Sequence, residues 1–402
     1  MKQQKSWIRY RHRVVRSVAG ALLAPYVRRV CGVKADRFEE QGTRPYLILM
    51  NHQTPFDQFF VCMSFSGPVY FLATEDIFSK GFLSKLLRWA AAPIPILKST
   101  GDLVAVRNCV RVAREGGTVA LAPEGNRTYS GKTEYMNPAV ATLARMMKLP
   151  VALYRIEGGY GVQPRWSDRV RRGSMRAYVS RVIEPEDVAA MSDAELFSVI
   201  RDGLNVNEGR DTGLYESDRR AEFLERAVYV CPFCGLSPFR SAGNETECLT
   251  CRRRVEYGAD KRLRGVGFVF PFTWMTEWYD YQCDFIRRLD LTEFTEKPLF
   301  RDPAAMYEVV VFKRKNLLRR QVELSLYGDR VAVSGGGEDL VLPFSEVTAA
   351  AALGRNRLNL YHGGRAYQFR GGKGFNALKY VNIYYRFRNA AGGDENGEFL
   401  GL

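Results

Sequence analysis

Between residues 36 and 205 short apolar runs alternate with amphipathic stretches, and this alternation limits the fold more than any other feature of the chain. "PYLILM", "PVYFLAT", "PIPIL", "TVALA" and "PVALYRI" read as strands. "PFDQFFVCMSF", "SKGFLSKLLRWAA", "GDLVAVRNCVRVAREG" and "NPAVATLARMMK" read as helices between them. The order predicts an α/β domain over residues 36–215, a sheet under helical cover. Ligands of such sheets bind in loops beyond the carboxyl ends of the strands. Two loops there carry chemistry: "NHQTPFD" (51–57) after the first strand, and "PEGNRTYSG" (123–131) after a later one.

His52 is one of only three histidines in the chain, and Asp57 follows five residues later. Asp57 has a structural role available, because Thr54-Pro55-Phe56-Asp57 is a good helix start. Thr54 would be the N-cap, Pro55 the first helical residue, and Asp57 the carboxylate of a capping box. His52 has no such role. Two positions five apart on one helix point about 140° apart, so the pair meets only if His52 stays in the loop. Asp57 would then hold one ring nitrogen as N–H and leave the other as a base. In the second loop Glu124 offers a carboxylate and Gly125 a tight turn. Arg127 offers a planar fork suited to phosphate, against the plain alternative of a solvated surface turn.

These residues resemble the glycerolipid acyltransferases of the 1-acylglycerol-3-phosphate acyltransferase type. Their signature is N-H-x4-D followed about 70 residues later by E-G-T-R; His52 and Glu124 are 72 apart. The resemblance covers roughly residues 10–200. An intermediate block that usually ends in arginine is "PIPILKSTGD" here, with Lys98 in that place, and Asn126 replaces threonine in the second block. A fourth block, "LPVALY", keeps Pro150 and has Leu153 for a second proline. The family implies acyl transfer from acyl-CoA or acyl carrier protein to a hydroxyl of lysophosphatidic acid or a related acceptor. His52 would be the base and Asp57 its orienting partner. Glu124 and Gly125 would shape the pocket, and Arg127 with Lys98 would hold the acceptor phosphate.

Net charge is +15, which favours anionic partners. The first 30 residues hold eight Lys/Arg and no acid, and "RWSDRVRRGSMRAYVSR" places six arginines between Arg165 and Arg181. The apolar stretch Ser17–Val27 is too short to span a bilayer and lacks a signal-peptide cleavage site. Apolar residues at Ile8, Val15, Val18, Leu22 and Tyr26 among basic ones predict an interfacial helix in residues 1–35, broken or kinked at Pro25. The expectation is a peripheral protein on the cytoplasmic side of an anionic membrane.

"CPFCGLSPFRSAGNETECLTCRRR" is C-x2-C-x13-C-x2-C. Two such knuckles give a tetrahedral sulfur site that selects zinc, with iron second. Cys231, Cys234, Cys248 and Cys251 therefore predict a structural zinc ribbon over 229–258. The basic run Arg252–Arg254 reads as a solvated face, and nucleic-acid binding is disfavoured for want of an aromatic–basic face. Residues 259–302 read as a linker with an aromatic helix, its stripe Trp274, Trp278, Phe285 and Leu289. Residues 303–390 read as six or seven short strands closed by a helix through Phe375, Leu378, Val381 and Tyr385. This resembles a pleckstrin-homology-like small β-barrel, with 391–402 as a tail. The C-terminal half is a candidate surface for a protein partner. The competing reading is a non-catalytic lipid-binding adaptor, and the intact His52, Asp57, Glu124 and Arg127 favour an enzyme.

Overall fold

Leu47, Ile48 and Leu49 have no exposed surface at all, so both faces of their strand are covered, as its unbroken apolar sequence requires. The computed structural model describes residues 6–74, 77–96, 103–210, 213–310, 315–394 and 397–399. They fall into two compact units. The first comprises Met1–Thr128, Lys132–Val162 and Arg172–Glu208; the second comprises Tyr129–Gly131, Gln163–Arg171 and Gly209–Leu402.

In the first unit the chain runs α1 (Tyr10–Cys31), β1 (Val33–Ala35), β2 (Leu47–Met50), α2 (Asp57–Ser64), β3 (Val69–Thr74), α3 (Phe82–Ala91), β4 (Ile94–Ile96), α4 (Leu103–Arg114) and β5 (Thr118–Leu121). It continues through α5 (Ala139–Met147), β6 (Val151–Glu157), α6 (Gly159–Val162), β7 (Met175–Ile183), α7 (Pro185–Ala190) and α8 (Asp193–Leu204). The sheet order is β1-β7-β6-β2-β5-β3-β4. Strands β2 to β6 are mutually parallel, and β7 runs antiparallel to β6. Leu47 and Leu49 join Cys109 and Val112 of α4, Val140 and Ala144 of α5, and Leu196 and Ile200 of α8 in one core. The buried positions on α4, Ala105, Cys109 and Val112, follow the helical period. Ser192 and Glu195 form a capping box that starts α8.

Two expectations need correction here. Of the break or kink expected at Pro25, the break does not occur: α1 runs on to Cys31 and ends at Gly32 in the left-handed conformation. Pro25 and Ala21 lie on an exposed face, where water can satisfy the carbonyl that the missing N–H frees. The arginine-rich stretch is partly structural: Arg172 and Arg181 are exposed, but three of its arginines have partners within the fold. Arg176 lies on β7 and pairs with Asp36 at 2.8 Å. Arg165 and Arg171 are 2% and 1% exposed in the second unit. Arg165 sits 4.2 Å from the Tyr129 ring and donates to the Ala352 carbonyl. Arg171 lies 5.0 Å from the ring of Trp166 and 4.9 Å from that of Tyr257.

The second unit begins with β8 (Val230–Cys231), β9 (Gly235–Leu236), β10 (Phe239–Ala242), β11 (Glu245–Cys248), β12 (Arg254–Tyr257), β13 (Leu263–Gly265) and α9 (Met275–Arg287). Its larger sheet holds β14 (Phe300–Val309), β15 (Asn316–Leu326), β16 (Arg330–Ser334), β17 (Leu340–Pro343), β18 (Val347–Leu353), β19 (Arg357–His362) and β20 (Arg365–Gly371), and α10 (Leu378–Ala391) follows. The antiparallel order is β17-β16-β15-β14-β20-β19-β18, two meanders joined where β14 pairs with β20. Leu378 and Val381 of α10 are fully buried, and the Tyr384 hydroxyl donates to the Val347 carbonyl at 2.7 Å.

The buried stripe of α9 differs from the expected one. It is Met275, Trp278, Tyr279, Gln282 and Ile286, whereas Trp274, Phe285 and Leu289 are only half-buried. Both sets recur at helical spacing, but the buried face is centred near Gln282, and Trp274, Phe285 and Leu289 lie along its flank. Gln282 is central to it. Its Oε1 accepts the N–H groups of Tyr229 and Val230 at 2.8 and 3.2 Å, which fixes the lead-in to the first cysteine.

Candidate active site and metal centre

Asn51 ends β2 and is wholly buried. Its amide donates to the Ile156 carbonyl and accepts the Ile156 N–H, both at 2.8 Å. This two-point clamp extends the β2–β6 pairing by one side chain and fixes where the chain leaves the sheet. His52 comes next, in the loop before α2.

Asp57 is the first residue of α2 and has no exposed surface. Its Oδ1 accepts the Thr54 N–H at 2.9 Å and the Thr54 hydroxyl at 2.6 Å. Its Oδ2 accepts the Gln53 N–H at 2.7 Å and faces His52 Nδ1 at 2.7 Å. With both oxygens acting as acceptors, Nδ1 carries the hydrogen and Nε2 keeps its lone pair. The His52 side chain is 27% exposed, so the ring reaches solvent while its partner does not. The expected cap is present in modified form. Thr54 Oγ1 accepts the Phe56 N–H at 3.1 Å, and the helix proper begins at Asp57 rather than Pro55.

The second loop joins this site through the sheet. Strands β2 and β5 are adjacent and parallel, with Leu49 opposite Leu121. His52 and Glu124 each lie three residues beyond that pair. Glu124 Oε1 accepts the His52 N–H at 3.1 Å, and Oε2 accepts the Glu134 N–H at 3.1 Å. Burial pushes the Glu124 carboxyl up to about 8, against those two N–H groups, and the nearby Glu134 and Asp57 carboxylates add to the rise. Gly125 closes the turn by donating to the Ala122 carbonyl at 3.0 Å. Its φ of +69° requires glycine, although a side chain would meet nothing within 4 Å. Arg127 follows in the same loop, half-buried. Lys98 lies outside the described residues. Sequence reasoning missed Asn51; the signal was a buried-type polar residue directly after four apolar ones.

In the second unit Cys231 and Cys234 lie on one knuckle, Cys248 and Cys251 on another. The four sulfurs all lie within 4.8 Å of one another. Cys231 and Cys251 are 3.7 Å apart, and Cys234 and Cys248 are 3.6 Å apart. A tetrahedron with Zn–S bonds of about 2.3 Å has edges of about 3.8 Å, so these thiols fit a metal and are far too distant for disulfides. The N–H groups of Phe233 and Cys234 point at Cys231 sulfur. Burial opposes ionisation of Cys251, but the N–H and guanidinium of Arg253 and the neighbouring thiols bring it down to about 7. Arg252 holds φ +63° in the second knuckle, a position where glycine would be unstrained.

Aromatic rings and one arginine meet on the ribbon. Arg253 lies 4.3 Å from the Phe233 ring, and Phe233, Phe268, Phe270 and Phe272 follow one another at 5.5–6.3 Å. The rings meet edge to face and hold the 265–273 loop on the ribbon, so their role is packing.

Residues 30–156 match the family model described as Acyltransferase. No curated protein matches the chain. Among solved structures it is similar to the 1-acyl-sn-glycerophosphate (LPA) acyltransferase PlsC from Thermotoga maritima. That similarity is 18% identity over 48% of this chain and 75% of that one, with a TM-score of 0.38.

Proposed function

Over residues 30–156 the protein belongs to the acyltransferase family, and from that premise we propose that it moves a fatty acyl group from a thioester donor to a hydroxyl of a glycerolipid acceptor. The observation that carries this reading is the 2.7 Å bond from His52 to a fully buried Asp57, with Glu124 on the His52 N–H. His52 Nε2 takes the proton of the acceptor hydroxyl as its oxygen attacks the thioester carbonyl. The C–S bond then breaks, and the leaving thiolate recovers the proton from the imidazolium. Asp57 keeps the ring in the required tautomer and stabilises its charge in between. Arg127, with Lys98, holds the acceptor phosphate, and Gly125 lets the loop turn closely around it. The donor is acyl-CoA or acyl carrier protein, and the acceptor is lysophosphatidic acid or a close relative.

Both substrates are amphiphiles, and α1 carries Val18 and Leu22 exposed beside basic residues. The protein therefore works as a peripheral protein on the cytoplasmic face of an anionic membrane. Among the described residues no helix is long and apolar enough to cross one. Cys231, Cys234, Cys248 and Cys251 hold a structural zinc, since four protein ligands fill the tetrahedron. The larger sheet with α10 forms a pleckstrin-homology-like domain that serves as a protein-docking module.

The test is product identification by mass spectrometry with lysolipid and glycerol-phosphate acceptors and both donor types. The His52→Ala protein should fold and lose roughly 10²–10⁴ in kcat. Arg127→Ala should raise the acceptor KM and spare the donor KM. A folded His52→Ala protein that transfers acyl groups at the wild-type rate would refute the mechanism.

A further inference from the structure

Helices α1 and α3 are neighbours tied at one end. Arg11 donates to the Trp89 carbonyl at 2.9 Å, and its guanidinium lies 5.4 Å from the Trp89 ring. The other end of each helix lies toward the sheet edge that carries His52. Helix α1 runs into β1, where the Met175 N–H donates to the Gly32 carbonyl, and Arg176 beside it pairs with Glu157 at the end of β6. Helix α3 starts just after the carboxyl end of β3 and runs back to β4. Around this edge stand strongly exposed apolar side chains, Leu22 72%, Tyr26 61%, Phe82 79%, Leu83 58%, Leu103 74% and Val104 60%, while Tyr10, at 80%, stands at the tied end.

An exposed apolar group of this size marks a docking surface. Its charge selects the occupant. Residues 6–35 and 77–96 contain no aspartate or glutamate. Arg28 and Arg29 are exposed at the end of α1, and Lys80, Lys85 and Arg88 are exposed around α3. Glu75, Asp76 and Asp102 flank these segments in sequence, but cations outnumber them, and apolar side chains with aromatic residues among them and an excess of cations are the features of a surface that sits in the headgroup layer of an anionic bilayer.

We propose that α3 is a second membrane-docking helix, which together with the end of α1 seats the His52 edge of the sheet on an anionic bilayer. The inference rests on the membrane-substrate reading above and extends to α3 a part expected of α1 alone. Docked this way, the loops bearing His52 and Glu124 face the lipid, and an acceptor need not leave the membrane to reach them.

The experiment is co-sedimentation with vesicles of equal parts phosphatidylcholine and phosphatidylglycerol. It compares the wild-type protein with Phe82→Ser/Leu83→Ser and Leu22→Ser/Tyr26→Ser variants, whose thermal midpoints are checked against wild type. All four side chains are exposed, so the fold should tolerate their loss. Each double variant should lower the partition coefficient by at least about tenfold. Wild-type binding by the Phe82→Ser/Leu83→Ser variant, with release of the other, overturns the role of α3 and leaves the membrane reading standing. Failure of the wild-type protein to bind overturns both.

Discussion

Replacing Asp57 by asparagine changes one oxygen to an NH2 group and removes the charge, and the structure sets what each change should cost. If the new amide nitrogen takes the Oδ2 place, the Gln53 N–H loses its acceptor. Nδ1 of His52 must then accept instead of donate, which moves the proton to Nε2 and abolishes the base. If it takes the Oδ1 place, the Thr54 hydroxyl can turn to accept, and the Thr54 N–H retains its longer 3.1 Å contact with Oδ2. The second arrangement strands less, so it should be adopted. A buried donor left without a partner costs about 1–3 kcal/mol, and one weakened donor places Asp57→Asn in the lower half of that range. The catalytic loss should be larger. The ring keeps its orientation but loses the negative charge that stabilises the imidazolium, and kcat should fall roughly 10²–10⁴-fold. Urea denaturation and a thiol-release assay on the same preparation separate the two effects. An Asp57→Asn protein with the wild-type rate would show that Asp57 only caps the helix. One with a lost rate and unchanged stability would show that its N–H contacts are dispensable.

Two further outcomes follow from the other groups. Because the Glu124 carboxyl is held near 8 instead of 4.5, the folded state keeps a proton that the unfolded chain releases between those values. The contribution is fully present below pH 4.5 and is lost as pH rises through about 8. The wild-type protein should therefore lose stability relative to Glu124→Gln over that window, at up to about 1.4 kcal/mol per pH unit. Parallel denaturation series with no difference in slope would exclude a buried neutral Glu124. Elemental analysis should find one zinc per chain, and Cys234→Ser should unfold the ribbon, since structural zinc is worth on the order of 10 kcal/mol to such a module. Metal-free protein with an unchanged melt would rule out the metal.

Much of the first unit was legible because its signals are local. Leu47–Met50 is apolar on both faces and must be a covered strand, and Ala105, Cys109 and Val112 recur at helical spacing. Strand β7 was not legible. Its sequence "MRAYVSRVI" carries exposed arginines that mask the strand pattern, and the partner of Arg176, Asp36, lies 140 residues away. Arg165 and Arg171 misled for the same reason: no local pattern says that an arginine will be buried beside tyrosine and tryptophan rings. The stripe on α9 was misread because its key residue is Gln282, a polar side chain buried to hold backbone N–H groups. At Pro25 the helix continues, on an exposed face where the hydrogen bond lost at the Ala21 carbonyl can be replaced by water.

The candidate site shows a different limit. The sequence offered two separate explanations of Asp57, a helix cap or a partner for His52. The geometry makes them one. A single oxygen, Oδ2, accepts both the Gln53 N–H and the His52 ring, while Oδ1 secures Thr54. The cap contacts hold the carboxylate rigid and dry, and a rigid, dry carboxylate is what a ring needs to stay in one tautomer. Asn51 completes the arrangement from the other side by locking the strand end to Ile156. The imidazole is thus fixed by the strand before it and the helix after it. A spacing of five residues across a loop is what allows both constraints to act on one side chain, and this gives the H-x4-D interval a physical meaning independent of any relative that shares it.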